Sequence, residues 1–171
     1  MPKIYTSKVC VVGDQGVGKT SLLLKYSKNT FFENYKPTLG ADFIIKEEKI
    51  EGTDDFCHLY LWDLAGNKSF AILRNYYMHG ANAAIVCFDL NNPESFKNVS
   101  SWLKDVNKIR ANIPIILVGT KNDLNQEIHD ENIEKYIKEK NLPFFKTSAK
   151  EGENVRDVFM KMIDMILSNV D

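Results

Sequence analysis

The sequence predicts an α/β fold, a mostly parallel six-stranded sheet with one antiparallel edge strand and helices on both faces. Three observations predict it. Short apolar runs alternate with helically periodic segments along the whole chain, the pattern of a parallel sheet covered on both sides. The glycine-rich stretch 13–20 joins an apolar run to a helical one. The short bridge 51–55, Glu-Gly-Thr-Asp-Asp, links two strand-like runs and leaves room only for an antiparallel connection. At 171 residues and 44% hydrophobic content, the chain is expected to be a single domain spanning 1–171, with its own core.

Taken in order, residues 4–12 end in Val9-Cys10-Val11-Val12 and read as a buried strand. Lys19 to Lys28 reads as the first helix, and 29–40, polar and aromatic with Pro37, as a loop of functional length. Residues 41–50 and 56–63 form the expected hairpin. Residues 64–78 are too irregular for one element, and Ala83 to Asp89 is a buried strand closing on a carboxylate. Asn92 as cap and Pro93 at the first helical position open a helix. Phe96, Val99, Trp102, Leu103, Val106 and Ile109 share its buried face, so Trp102 is assigned to the core. Residues 115–118 form a strand stopping at Gly119; a charged helix, Asp130 to Lys140, and a short strand, 144–147, follow. Val155, Val158, Phe159, Met162, Ile163 and Ile166 define the last helix, with Asn154 as its expected cap.

The net charge of −1 gives no basic excess for nucleic-acid binding. Cys10, Cys57 and Cys87 lack metal-ligand spacing, lie in apolar runs and read as buried free thiols of a reducing compartment. His58, His79 and His129 are scattered and receive no catalytic role. No targeting segment or long apolar run appears, so a soluble chain is expected. Pro2 is incompatible with N-myristoylation, and no prenylatable cysteine stands at Asp171.

Chemically loaded residues follow the carboxyl ends of the expected strands, where open α/β sheets hold ligands. Gly13-Asp14-Gln15-Gly16-Val17-Gly18-Lys19-Thr20 fits the phosphate-binding pattern G-x-x-x-x-G-K-[ST]. Glycines let the backbone curl so that N–H groups point inward, and the helix opening at Ser21 adds a favourable dipole. The expected phosphate contacts are Gln15, Gly16, Val17, Gly18, Lys19, Thr20 and Ser21. Lys19 reaches the β- and γ-phosphates, and the Thr20 hydroxyl ligates Mg²⁺. Asp63-Leu64-Ala65-Gly66 offers a carboxylate for Mg²⁺ and a glycine for close approach to the terminal phosphate. Thr120-Lys121-Asn122-Asp123 offers a carboxylate able to accept from guanine N1–H and the 2-amino group, a donor pair that adenine lacks. The Lys121 stem can lie over the base. Ser148-Ala149-Lys150 can donate a backbone N–H to guanine O6.

These motifs, with Lys36-Pro37-Thr38-Leu39-Gly40-Ala41-Asp42-Phe43, Trp62 before Asp63, Gly80-Ala81 and Val118 to Leu124, make the whole chain resemble a Ras-superfamily small GTPase. It is most similar to Rab proteins, although Thr120 stands where Rab proteins usually carry Asn, as in Rho proteins. The resemblance implies a P-loop NTPase fold of the small G-domain type. It also implies a monomeric GTP/GDP switch with Mg²⁺ that controls effector recruitment in vesicle traffic. Phe31 would stack on guanine, and Tyr35 would close over the phosphates. Thr38 would ligate Mg²⁺ and bind the γ-phosphate, Gly66 would give a second γ-phosphate N–H, and Lys19, Gly66 and Asn67 would carry hydrolysis. Effector, exchange-factor and GAP proteins would read 29–43 and 63–81. The protein would be cytoplasmic, cycling to an internal membrane only through a lipidated C-terminal tail that this chain lacks.

The chain departs from that pattern near the chemistry. Asn67 replaces the Gln that orients the attacking water, and its amide falls short by one methylene. Misplacement on that scale costs on the order of 10²-fold. Lys68 replaces Glu, Leu64 replaces Thr, and Gln15 stands where a small residue is common. Slow intrinsic hydrolysis is therefore expected, unless a GAP supplies arginine and glutamine in trans. The rival reading is a GTP-locked interaction module with little turnover. A P-loop metabolic kinase is disfavoured because it leaves 120–123 without a purpose.

Overall fold

The computed structural model describes residues 1–169; the last two residues of the expected domain, 170–171, lie outside the described residues. Six strands form one sheet in the order β2-β3-β1-β4-β5-β6: β1 (Ile4–Gly13), β2 (Ala41–Lys49), β3 (Phe56–Leu64), β4 (Ala83–Asp89), β5 (Ile115–Thr120) and β6 (Phe144–Lys146). β2 pairs antiparallel with β3 from Ala41 opposite Leu64 to Lys49 opposite Phe56. All other pairings are parallel. The expected edge strand and hairpin are therefore present.

The continuous apolar run of β1 has a direct cause. Successive side chains of a strand face opposite sides, so Val9 and Val11 enter one core while Cys10 and Val12 enter the other. On the first side α1 (Lys19–Lys28) and α6 (Val155–Leu167) cover the sheet. Leu22, Leu23, Tyr26, Val158, Phe159 and Met162 fill the space between, and Tyr26 lies flat on Phe159 with centroids 3.8 Å apart. The second side is covered by α2 (Ala71–Met78), α3 (Pro93–Lys97), α4 (Val99–Ile109) and α5 (Asp130–Lys140), through Met78, Val99, Trp102, Leu103, Val106 and Ile133. Among the described residues no helix is long and apolar enough to cross a membrane.

Two expectations change in detail, and a third is filled in. The helix opening at Asn92 is divided at Asn98 into α3 and α4, at the residue whose amide reaches across to Asp14 at 2.7 Å. The opening itself is as expected, with Asn92 Oδ1 accepting from the Glu94 and Ser95 N–H groups. Asn154 does not cap α6 with its side chain; it sits in the left-handed region at φ 54°, and its Nδ2 donates instead to the Lys146 carbonyl at 2.8 Å. The irregular stretch 64–78 resolves into the end of β3, a single 3₁₀ turn at Lys68–Phe70 and α2.

β1 lies between β3 and β4; the chain leaving β1 enters α1 on the first side, whereas the chains leaving its neighbours β3 and β4 enter α2 and α3 on the second. That divergence opens a crevice along one edge of the sheet, where the expected site residues gather.

Candidate functional site

A cavity of about 440 Å³ runs along this edge, lined by the turn after β1, the 29–40 loop, Gly66 and Asn67 after β3, and the turns after β5 and β6. At its head, Gly18 takes φ 100°, a left-handed backbone that a side chain would strain, and precedes α1 with no side-chain cap. The first-turn N–H groups therefore face the cavity without a capping oxygen. Lys19 is buried at 6% exposure, its ammonium donating to the Gly13 and Asp14 carbonyls at 2.9 and 2.8 Å. Burial holds its pKa below the ordinary lysine range, partly offset by the Asp63 carboxylate.

Beside it three oxygens converge from three elements. Thr20 Oγ1 lies 3.0 Å from Thr38 Oγ1, and both hydroxyls donate to Asp63 Oδ2, Thr38 at 3.2 Å. Asp63 is 3% exposed, and its Oδ1 has no hydrogen-bond partner among the described residues. Burial raises its pKa, opposed by the Thr20 hydroxyl and the Lys19 charge. A buried carboxylate oxygen left unpaired is costly, and the set around it is all oxygen, the chemistry of a hard divalent cation. The residues fit Mg²⁺.

Gly66 closes this end. A Cβ on Gly66 would lie 2.5 Å from the Asp14 carbonyl carbon and nearer still to Gly13 O and Gln15 N, so only glycine lets the β3 loop rest on the turn after β1. Asn67 Oδ1 accepts from the Ser69 N–H and hydroxyl at 2.9 and 2.8 Å, capping the 3₁₀ turn. Its Nδ2 donates to Gln15 Oε1 at 3.1 Å.

At the far end, the Thr120 hydroxyl donates to the Val17 carbonyl, and lies 3.0 Å from Phe88 O, tying the glycine-rich turn to β4 and β5. The Lys121 ammonium meets Asp89 Oδ2 at 2.7 Å and donates to Gly16 O at 2.9 Å, which lays its stem along the cavity wall. Asp123 Oδ1 accepts from Ser148 Oγ at 2.7 Å. This carboxylate is aimed by a hydroxyl that is itself fully buried.

The structure brings together nearly every expected site residue. Gln15, Gly16, Gly18, Lys19, Thr20, Ser21, Phe31, Tyr35, Thr38, Gly66, Asn67, Thr120, Lys121, Asp123, Ala149 and Lys150 line one cavity. Three stand behind the wall: Val17 packs its side chain into the core, Asp63 lies beneath the two threonines, and Ser148 lies behind Asp123. Phe32, Glu33 and Thr147 also line it and were not among the expected site residues. Glu33 pairs with Lys150 at 3.7 Å.

Sequence reasoning also missed a network beneath the glycine-rich turn. Trp102 Nε1 and Asn98 Nδ2 donate to the two carboxylate oxygens of Asp14, each at 2.7 Å. The Arg74 guanidinium lies 4.5 Å above the Trp102 ring and donates to the Ala65 and Asn67 carbonyls at 2.8 and 3.1 Å. The only hint was Trp102 itself, whose indole N–H, once in a core, needs an acceptor.

Comparison with known proteins accords with this geometry. Residues 8–168 match the model of the Ras family. The chain is similar to Ras-related protein RABD2a of Arabidopsis thaliana, at 37% identity over 92% of this chain and 78% of the relative. It is similar to RABD2b of the same plant at 36%, over 92% of this chain and 79% of the relative. GTP-binding protein YPTM2 of Zea mays is 35% identical over 92% of this chain and 78% of its own. The chain belongs to the Ras family of small GTPases, as a Rab-like member.

Proposed function

We propose that this protein is a GTP/GDP switch in membrane traffic, hydrolysing GTP slowly and with Mg²⁺. The observation that carries the reading is the convergence of the Thr20 and Thr38 hydroxyls on Asp63 Oδ2, with the buried Asp63 Oδ1 unpaired among the described residues, beside the Lys19 ammonium. In this reading the N–H groups of 15–21 and Lys19 hold the phosphates. Thr20, Thr38 and Asp63 hold Mg²⁺, which when bound neutralises phosphate charge. Thr38 and Gly66 meet the terminal phosphate with backbone N–H groups, so its loss frees 29–40 and 64–78. Asp123, aimed by Ser148, accepts from the guanine edge; Lys121, Phe31, Ala149 and Lys150 enclose the base; Thr120 braces the turn; Tyr35 closes over the phosphates.

The partners proposed are effector, exchange-factor and GAP proteins docking on 29–43 and 63–81. In support, Leu39, Phe43, Ile72, Leu73 and Tyr76 are exposed there, and Phe43, Trp62 and Tyr77 stack in a row. The chain acts as a monomer without nucleic acid. It is cytoplasmic and cycles to an internal membrane where a lipidated C-terminal tail is present.

Slow turnover rests on Asn67, whose amide is one methylene short of the usual Gln and is engaged by Ser69 and Gln15. The same engagement favours the second reading, a GTP-locked interaction module. The test is single-turnover hydrolysis by protein preloaded with GTP and Mg²⁺. Slow but measurable release of phosphate, accelerated in Asn67→Gln, supports the switch. An Asn67→Gln variant no faster than the parent refutes the role given to Asn67. No turnover in either leaves the GTP-locked module.

A further inference from the structure

Gln15 and Asn67 are not independent departures, because their side chains are bonded to each other. A carbonyl oxygen has two lone pairs, and on Asn67 both are taken by Ser69. One Asn67 Nδ2 proton goes to Gln15. Asn67 thus has no acceptor left for a water molecule. Gln15 is the opposite case: its Oε1 keeps a second lone pair, and its Nε2 has no acceptor among the described residues. Both residues line the cavity wall, at the end where Gly66 rests against the Gln15 backbone nitrogen.

We propose that Gln15, not Asn67, presents the side-chain amide that contacts the attacking water and the terminal phosphate, and that Asn67 is the positioning residue that holds it there. This rests on the GTPase reading above. Gln15 Oε1 accepts a hydrogen bond from the water through its free lone pair, while Nε2 donates to a terminal phosphate oxygen. The water oxygen bonds to the terminal phosphorus as the bond from that phosphorus to the bridging oxygen breaks. The bridging oxygen keeps the electron pair and leaves with GDP, and the water's proton ends on the released phosphate. A long flexible glutamine would wander; the 3.1 Å bond from an amide itself clamped in the 3₁₀ turn limits that motion.

If Gln15 merely crowded the terminal phosphate, shortening it would speed hydrolysis; if Gln15 acts on the water, shortening it slows hydrolysis. The experiment compares single-turnover GTP hydrolysis in the parent, Gln15→Gly and Gln15→Met. Glycine removes both bulk and amide; methionine keeps the bulk alone. The proposal expects both variants to lose roughly 10²-fold, the scale of one preorganised hydrogen-bond donor. Hydrolysis retained or raised in either variant overturns it. Asn67→Ala should fall as far as Gln15→Met, with no further loss in the double variant; additive losses overturn the positioning role. GDP release from each variant, within a few-fold of the parent, reports that the site is intact. A parent that holds GTP without any turnover overturns this proposal and leaves GTP binding standing. A parent that binds no guanine nucleotide removes the reading beneath it.

Discussion

Replacing Gly66 by alanine should weaken the binding of GTP and leave that of GDP nearly unchanged. The added Cβ would stand 2.5 Å from the Asp14 carbonyl carbon, where carbon atoms pack at roughly 3.5–4.0 Å. The obstacle is backbone, not a flexible side-chain end, so one of the two loops must withdraw by about 1 Å. The turn after β1 is the better anchored, held by Trp102 and Asn98 through Asp14 and by Thr120 through Val17. The loop carrying Gly66 is held mainly by Arg74, so it moves. A withdrawal of about 1 Å takes the Gly66 N–H beyond hydrogen-bond range of the terminal phosphate. A bond to a charged acceptor is worth about 1.5–3 kcal/mol, which lowers GTP affinity roughly 10- to 100-fold. GDP, lacking that phosphate, should bind within a few-fold of the parent. Competition between each nucleotide and a fluorescent guanine nucleotide measures the ratio. An unchanged GTP-to-GDP ratio refutes the placement of Gly66 at the terminal phosphate.

Asp123→Asn should weaken guanine nucleotide binding on the order of 10²-fold or more, because the aimed acceptor becomes a mixed donor–acceptor facing two N–H donors. The same competition measures it, and unchanged affinity would move the base elsewhere. Trp102→Phe keeps the ring but removes the donor to Asp14, and should cost about 2 kcal/mol, read from the urea midpoint; no change would show the network to be idle. The thiols of Cys10 and Cys57 are pushed up to about 11 and that of Cys87 to about 12, all by burial. The native protein should therefore resist a thiol reagent at pH 8, and all three thiols should react after unfolding. Above pH 9 the unfolded chain loses thiol protons that the folded chain keeps, so stability should fall as pH rises. Reaction of native thiols at pH 8 would contradict their burial.

Much of this architecture was legible because two periodicities in the chain are strong. The second half of β1 from Val9 to Val12, β4 up to Phe88 and β5 up to Val118 are unbroken apolar runs since both faces are covered, and α4 and α6 carry clean buried stripes. The cavity was legible because its parts follow strand ends, so topology alone assembles them. Backbone angles at single asparagines were not legible. Asn98 divides a helix where its amide reaches Asp14, 84 residues away, and Asn154, expected as a cap, takes a left-handed turn where its amide reaches the Lys146 carbonyl across a loop. Position 14 is a free choice in the phosphate-loop pattern, so nothing marked Asp14 as the acceptor for Trp102. Arg74 lies in a stretch whose local pattern was weak, and its role arises only when α2 meets α4. Gln15 and Asn67 were each legible as departures; that they are bonded to each other required the fold.

The most direct test of the central claim is the nucleotide carried by freshly purified protein, released by denaturation and separated by anion exchange. The expected result is guanine nucleotide at close to one per chain, with a substantial share as GTP, as the proposed slow turnover requires. Guanine nucleotide wholly as GDP would contradict slow turnover. An adenine nucleotide, or no nucleotide from a folded chain, would contradict the GTP switch itself.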